Sequence, residues 1–125
     1  MIYLDTHVVV WLYADKGGKL GGHARQVIEG TASLLISPMV LLEMDYLHEI
    51  RRISSPSGPV FDYLSRMISL RLCRRRFIDV IRLASEQSWT RDQFDRIITA
   101  QAAIKQTGLI TKDESIRNHY EHAIW

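Results

Sequence analysis

At 125 residues the chain has room for a single domain, 1–125, and too little for two. Hydrophobic residues at 46% and charged residues at 24% exclude a disordered or fibrous class. A net charge of +2 and a lone cysteine, Cys73, exclude a uniformly charged surface and any intrachain disulfide, so a reducing, cytoplasmic setting is expected.

Ile2 to Asp5 reads as a short buried strand closing on an acid, without the basic and long apolar regions of a signal peptide. Val8, Val9, Trp11 and Leu12 at helical spacing predict a helix over Thr6 to about Tyr13. Lys16-Gly17-Gly18 and Gly21-Gly22 predict a flexible connection, and a helix follows near His23–Glu29. Leu34 to Ile36 is a second strand. Ser37-Pro38 looks like an N-cap followed by proline in the first turn, opening a helix that runs to Ile50. Ser54 to Pro59 breaks the pattern, and Val60 to Ile68 resumes it with Phe61, Leu64 and Ile68 on one face. A third strand is expected over Leu70–Cys73 and a helix over Phe77–Ala84. The longest helical pattern runs from Asp92 to about Gln106, with Gly108 as its terminator. Leu109 to Thr111 is a fourth strand, Asp113 to His119 a short helix, and Ala123 to Trp125 a last apolar segment. Strands alternating with helices predict an α/β/α three-layer fold around a short, mostly parallel sheet.

In such a sheet, ligands bind beyond the carboxyl ends of the strands. Asp5 and Asp113 follow the first and fourth strands at that edge. Glu43 interrupts the apolar run Val40 to Met44, and Asp92 and Asp95 share a face three residues apart. Taken singly, Asp92 reads as a helix cap, Asp95 as a partner for Arg91 or Arg96, and Glu43 and Asp113 as structural too. Asp5 resists that account, because an acid closing an apolar strand is costly without a partner. Together, carboxylates converging on one edge repel one another, and a divalent cation removes the conflict. With only oxygen donors at suitable spacing, Mg²⁺ or Mn²⁺ is expected over Zn²⁺. Such ions suit phosphodiester hydrolysis by an activated water.

The motifs resemble those of the PIN-domain family, and within it the VapC-like toxins. Met1-Ile-Tyr-Leu-Asp5-Thr6-His7 is similar to the family's first acidic motif and Ser37 to Met44 to its second. Arg91 to Ala102 is similar to the third and Leu109-Ile-Thr-Lys-Asp113 to the fourth, in order across essentially the whole chain. The resemblance implies a PIN-like fold and a Mg²⁺- or Mn²⁺-dependent endoribonuclease. Asp5, Glu43, Asp95 and Asp113 would be its acids, with Asp5, Asp95 and Asp113 on the metal. It makes Asp92 an accessory acid, and Thr6 and Thr111 groups that orient a carboxylate or a metal-bound water. It also implies a small antitoxin that wraps the toxin and inhibits its site, a homodimer, and a toxin–antitoxin hetero-oligomer. Two positions depart from the pattern: Gln93 stands where proline is usual, and Thr90 where histidine is frequent.

Arg74, Arg75 and Arg76 suit contacts to RNA or to an antitoxin's acidic tail; a solvated face is the bland reading. A haloacid-dehalogenase-type phosphatase would need a second aspartate where His7 stands. A structure-specific DNA nuclease would need a longer chain. A PIN-fold RNA-binding or scaffold protein without catalysis would be expected to have lost some of the acids. His7 suits a surface or packing role, Cys73 a partly buried, inert thiol, and Trp11, Trp89 and Trp125 the core or an interface.

Overall fold

The structure, a computed structural model, describes residues 1–14 and 17–125. Five strands form one sheet: β1 (Ile2–Leu4), β2 (Leu34–Ile36), β3 (Arg71–Leu72), β4 (Gly108–Ile110) and β5 (Ala123–Ile124). Their order is β3-β2-β1-β4-β5, and every pairing is parallel. The final apolar segment is thus a fifth strand, which makes the sheet wholly parallel where a mostly parallel one was expected.

Among the described residues, seven helices connect the strands: α1 (Thr6–Tyr13), α2 (Gly22–Gly30), α3 (Pro38–Glu49), α4 (Ser57–Ile68), α5 (Phe77–Ser85), α6 (Gln93–Ala103) and α7 (Glu114–His119). Between the first two, Gly17–Lys19 forms a 3-10 turn. Lys16, the first residue of the expected flexible connection, lies outside the described residues.

The chain steps from β1 to β2 to β3, then crosses back to β4 and on to β5. With right-handed crossovers this reversal places α1 to α4 on one face and α5 to α7 on the other. It also makes the gap between β1 and β4 the topological switch point, where a crevice opens at the carboxyl edge.

The core explains why strands of two or three residues suffice. Leu4, Ile36, Leu109 and Ile110 are fully buried, and α1, α3 and α6 bring Val8, Met44 and Ile98 against them. Burying each such side chain contributes roughly 1.5–3 kcal/mol, which outweighs the few ladder bonds of so short a strand. The ladder also continues past the strand ends: Asp5 N–H donates to Ile110 O at 3.0 Å and Thr111 N–H to Ile124 O at 3.1 Å.

Several boundaries differ from the sequence expectation by a residue or more, the third strand shrinking from Leu70–Cys73 to Arg71–Leu72, and the larger shifts have a physical reason. Helix α4 starts at Ser57, taking Gly58 and Pro59 into its first turn, where the missing proline N–H has no intrahelical partner to lose. Helix α6 stops at Ala103, and Gln106, not Gly108, adopts the left-handed conformation at φ 52°. Gly108 opens β4 instead. A Cβ there would lie 2.7 Å from Ile2 Cδ1 and 2.9 Å from Ile124 Cδ1, so the glycine lets β4 sit between its two neighbours. Ser37 caps α3 by accepting the Met39 N–H at 3.0 Å, with Pro38 in the first turn.

Candidate active site

Asp5 stands where β1 ends and α1 begins, beside the switch point, and only 7% of it is exposed. One carboxylate oxygen accepts the Thr6 N–H at 2.7 Å, and the other accepts the Thr111 hydroxyl at 2.6 Å. The Thr111 oxygen in turn accepts the Asp113 N–H at 3.0 Å. The Thr6 hydroxyl donates to Glu43 Oε1 across 37 residues of sequence. Two buried threonines therefore tie three acids together: Thr111 links Asp5 to Asp113, and Thr6 links Asp5 to Glu43.

Asp95 comes from the first turn of α6. Asp92 is its N-cap, accepting the Asp95 N–H at 3.0 Å, and Asp113 likewise caps α7 through the Ile116 N–H at 2.9 Å. Both acids gain from the positive ends of their helices. The expected pairing of Asp95 with Arg91 or Arg96 is absent. Arg91 donates to Ser88 O at 3.0 Å and Arg96 to Thr90 O at 2.9 Å. Among the described residues, no lysine or arginine forms an ion pair with Asp5, Glu43, Asp92, Asp95 or Asp113.

The titration behaviour follows from that geometry. Burial raises the Asp5 carboxyl above the ordinary aspartate range, and the bonds from Thr111 and Thr6 pull it partway back. Glu43 is pushed up to about 7, first by burial and then by the charges of Asp5, Asp92 and Asp113, with the Thr6 bond opposing. Asp95 reaches about 8, again through burial first, then through Asp92, Asp5, Asp113 and Glu43. Asp95 feels the charge of all four other acids, so the five belong to one electrostatic cluster.

The side chains do not form a ready-made cage: among the described residues, no three of His, Cys, Asp or Glu are gathered closely enough to hold a metal ion by themselves. That suits a cation bound through one or two carboxylates and its own waters, as Mg²⁺ prefers. It does not suit a dehydrated four-ligand ion.

The two departures sit at the entry of α6. Thr90 accepts the Asp92 N–H at 3.1 Å through its hydroxyl, giving the turn its own organisation, and Gln93 is the exposed first helical residue. His7 is exposed and leans on Trp11, with ring centroids 6.0 Å apart. Trp11, Trp89 and Trp125 pack partly buried against the core. Cys73 is buried and accepts the Tyr3 hydroxyl at 2.9 Å.

Arg74, Arg75 and Arg76 follow β3 and are exposed, with Arg76 held toward Asp79 at 3.7 Å. Beside them lies a feature that sequence reasoning missed, a groove of about 960 Å³ lined by Tyr3, Leu35, Phe61, Leu70, Arg71 and Arg75 among others. Phe61, on one face of its helix with Leu64 and Ile68, is half-buried in the groove wall. Helical spacing places Phe61 on an inner face and says nothing of what that face meets.

Strands ending in acids around a switch point define an α/β protein with an acidic site at its carboxyl edge. The PIN domain profile matches residues 2–121, so the chain belongs to the PIN-domain family. Curated proteins yield no match. Among solved structures, a toxin–antitoxin complex from Klebsiella pneumoniae superposes with a TM-score of 0.69 at 17% identity, over 100% of this chain and 97% of that one. VapBC2 from Rickettsia felis, bound to a DNA fragment from its promoter, gives 0.65 at 19% identity, over 99% and 96%. These likenesses bear out the α/β PIN-like fold.

Proposed function

We propose that the protein is a Mg²⁺- or Mn²⁺-dependent endoribonuclease acting as the toxin of a toxin–antitoxin pair. The observation that carries this reading is a cluster of five carboxylates with no lysine or arginine ion pair among the described residues, two of them raised to about 7 and 8. A protein that keeps such mutual repulsion needs something positive to offset it, and the all-oxygen donor set fits a hard divalent ion.

Asp5, Asp95 and Asp113 would hold the ion, one or two of them directly and the rest through its waters, and the ion when bound would supply a water acidified for attack on phosphorus and charge to meet the leaving oxygen. Thr6 and Thr111 fix the Asp5 carboxylate by occupying one lone pair on each oxygen. Glu43, near neutrality and anchored by the Thr6 hydroxyl, takes up the proton of the attacking water. Asp92 keeps α6 capped and holds Asp95 in place while adding negative charge.

The partner reading rests on the two similar structures, both of toxin–antitoxin assemblies. A small antitoxin that covers the acidic edge is expected here as well. Association into a homodimer and a hetero-oligomer is supported by apolar side chains left exposed on α3 and α5, among them Leu42, Tyr46 and Phe77. No helix among the described residues is long and apolar enough to cross a membrane.

The test is cleavage of single-stranded RNA by purified protein in Mg²⁺, Mn²⁺ or EDTA, beside Asp5→Asn. Cleavage should require the metal and fall by about 10²-fold or more in the variant. Equal cleavage by wild type and variant, or no metal-dependent cleavage by either, rejects the reading; the second outcome would favour a PIN-fold RNA-binding or scaffold role.

A further inference from the structure

Three arginines line the groove beside β3, Arg71, Arg74 and Arg75, and no acidic residue does. Arg71 donates to the Ser33 hydroxyl at 2.7 Å. Arg74 and Arg75 are exposed and have no carboxylate partner among the described residues, unlike Arg76 with Asp79. Arg75 borders the groove together with Pro38, which lies just past the carboxyl end of β2. All strands are parallel, so Arg74 and Arg75, which follow β3, leave it at the same edge that carries Asp5 and Asp113, whereas Arg71 opens the strand at the other end. Strands lie about 4.8 Å apart, which puts the end of β3 on the order of 10 Å from the end of β1 across the intervening strand. A strand of RNA running along that edge passes from the acids to the arginines within its next nucleotides.

The groove below is apolar where a base would enter it, with Leu35, Leu70, Leu72 and the ring of Phe61. Its volume of about 960 Å³ is at the upper end of what small-molecule sites offer. Phosphate-seeking charge at the rim above an apolar wall with an aromatic ring is the arrangement by which proteins hold single-stranded nucleic acid. An acidic peptide would be met by the same charges, but a polynucleotide also carries the phosphates that the acidic edge would cleave, so one strand accounts for both features.

We infer that the groove beside β3 is a nucleotide subsite for single-stranded RNA, in which Arg74 and Arg75 bind a phosphate neighbouring the scissile one and Phe61 packs against its base. The inference rests on the ribonuclease reading of the acidic edge and extends it to substrate positioning.

Its test is binding without turnover: fluorescence anisotropy of a fluorescein-labelled single-stranded octauridylate in EDTA, across a salt series. The double substitution Arg74→Gln, Arg75→Gln should weaken binding about 10- to 50-fold at low salt. It should also flatten the slope of log affinity against log salt by about 0.7, the value for the one phosphate contact the two arginines share. Arg74→Lys with Arg75→Lys should restore most of both. Phe61→Ala should cost about 5- to 20-fold with the slope unchanged. Thermal melts control for folding.

Unchanged RNA affinity and slope in the double Gln variant overturn the proposal. So does a labelled peptide of alternating Leu and Glu that binds wild type, fails on that variant and leaves RNA affinity untouched; the groove would then dock protein. Asp5→Asn separates the two readings, because it should bind the octamer as wild type does and lose only Mg²⁺-dependent cleavage. Arginine-dependent binding with no cleavage by wild type sinks the nuclease reading and leaves the subsite standing.

Discussion

Replacing Asp95 by Asn isolates the repulsion within the acidic cluster. Asp95 rises from its ordinary 3.8 to about 8 in the folded protein. An acid raised on folding leaves stability intact below its unfolded value, and that stability drains away as pH climbs to the folded one. For Asp95 the window is therefore 3.8 to about 8. The full shift is worth about 6 kcal/mol at ~1.36 kcal/mol per unit. Asp95 is only partly buried, so screening by water reduces this to about 2 kcal/mol. The Asn variant should then melt about 8 °C above wild type at pH 8.5 in EDTA, taking about 4 °C per kcal/mol for a domain of this size. At pH 5 only about a quarter of the window has been crossed, and the gain should shrink to about 2 °C. Circular dichroism melts at low salt provide the measurement. Excess Mg²⁺ should cancel the advantage at pH 8.5 by stabilising wild type alone. An Asn variant no more stable than wild type at pH 8.5, or one with the same gain at both pH values, would refute the argument that the cluster strains the fold.

Metal uptake should release protons from Glu43 and Asp95, so Mg²⁺ affinity by titration calorimetry should rise about tenfold or more between pH 6.5 and 8.5. Flat affinity over that range would exclude both acids from the response. Thr111→Val strands the Asp5 carboxylate and the Asp113 N–H together and should cost about 1–3 kcal/mol in urea unfolding, whereas Thr111→Ser should stay near wild type. Gln106→Gly relieves a left-handed backbone at an exposed position and should stabilise by roughly 0.5–1 kcal/mol, the reverse of glycine's usual effect.

The parts of the fold written locally in the chain could be read from it. Ser37-Pro38 announces the start of α3 because a hydroxyl cap and a proline each have one natural place in a helix. Asp5 announced itself as an acid at the end of an apolar strand, a location with few harmless explanations. What escaped detection depends on neighbours distant in sequence. Gly108 reads as a helix terminator until Ile2 and Ile124 close in on both sides of it. Asp95 seemed able to pair with Arg96, but that guanidinium reaches back to Thr90 O instead. Phe61 has the spacing of a core residue, and only the absence of a covering element beside β3 turns it into a groove wall. The links Thr6–Glu43 and Thr111–Asp5 are likewise set by tertiary packing, although the threonines themselves stand next to the acids in sequence.

The hydroxyl that holds Asp5 belongs to a residue 106 positions later in the chain. An unfinished polypeptide ending before Thr111 has its first acid but not the clamp that aims it. Competence for chemistry thus arrives only when synthesis is nearly over, and any truncation that removes Thr111 should yield an inert product.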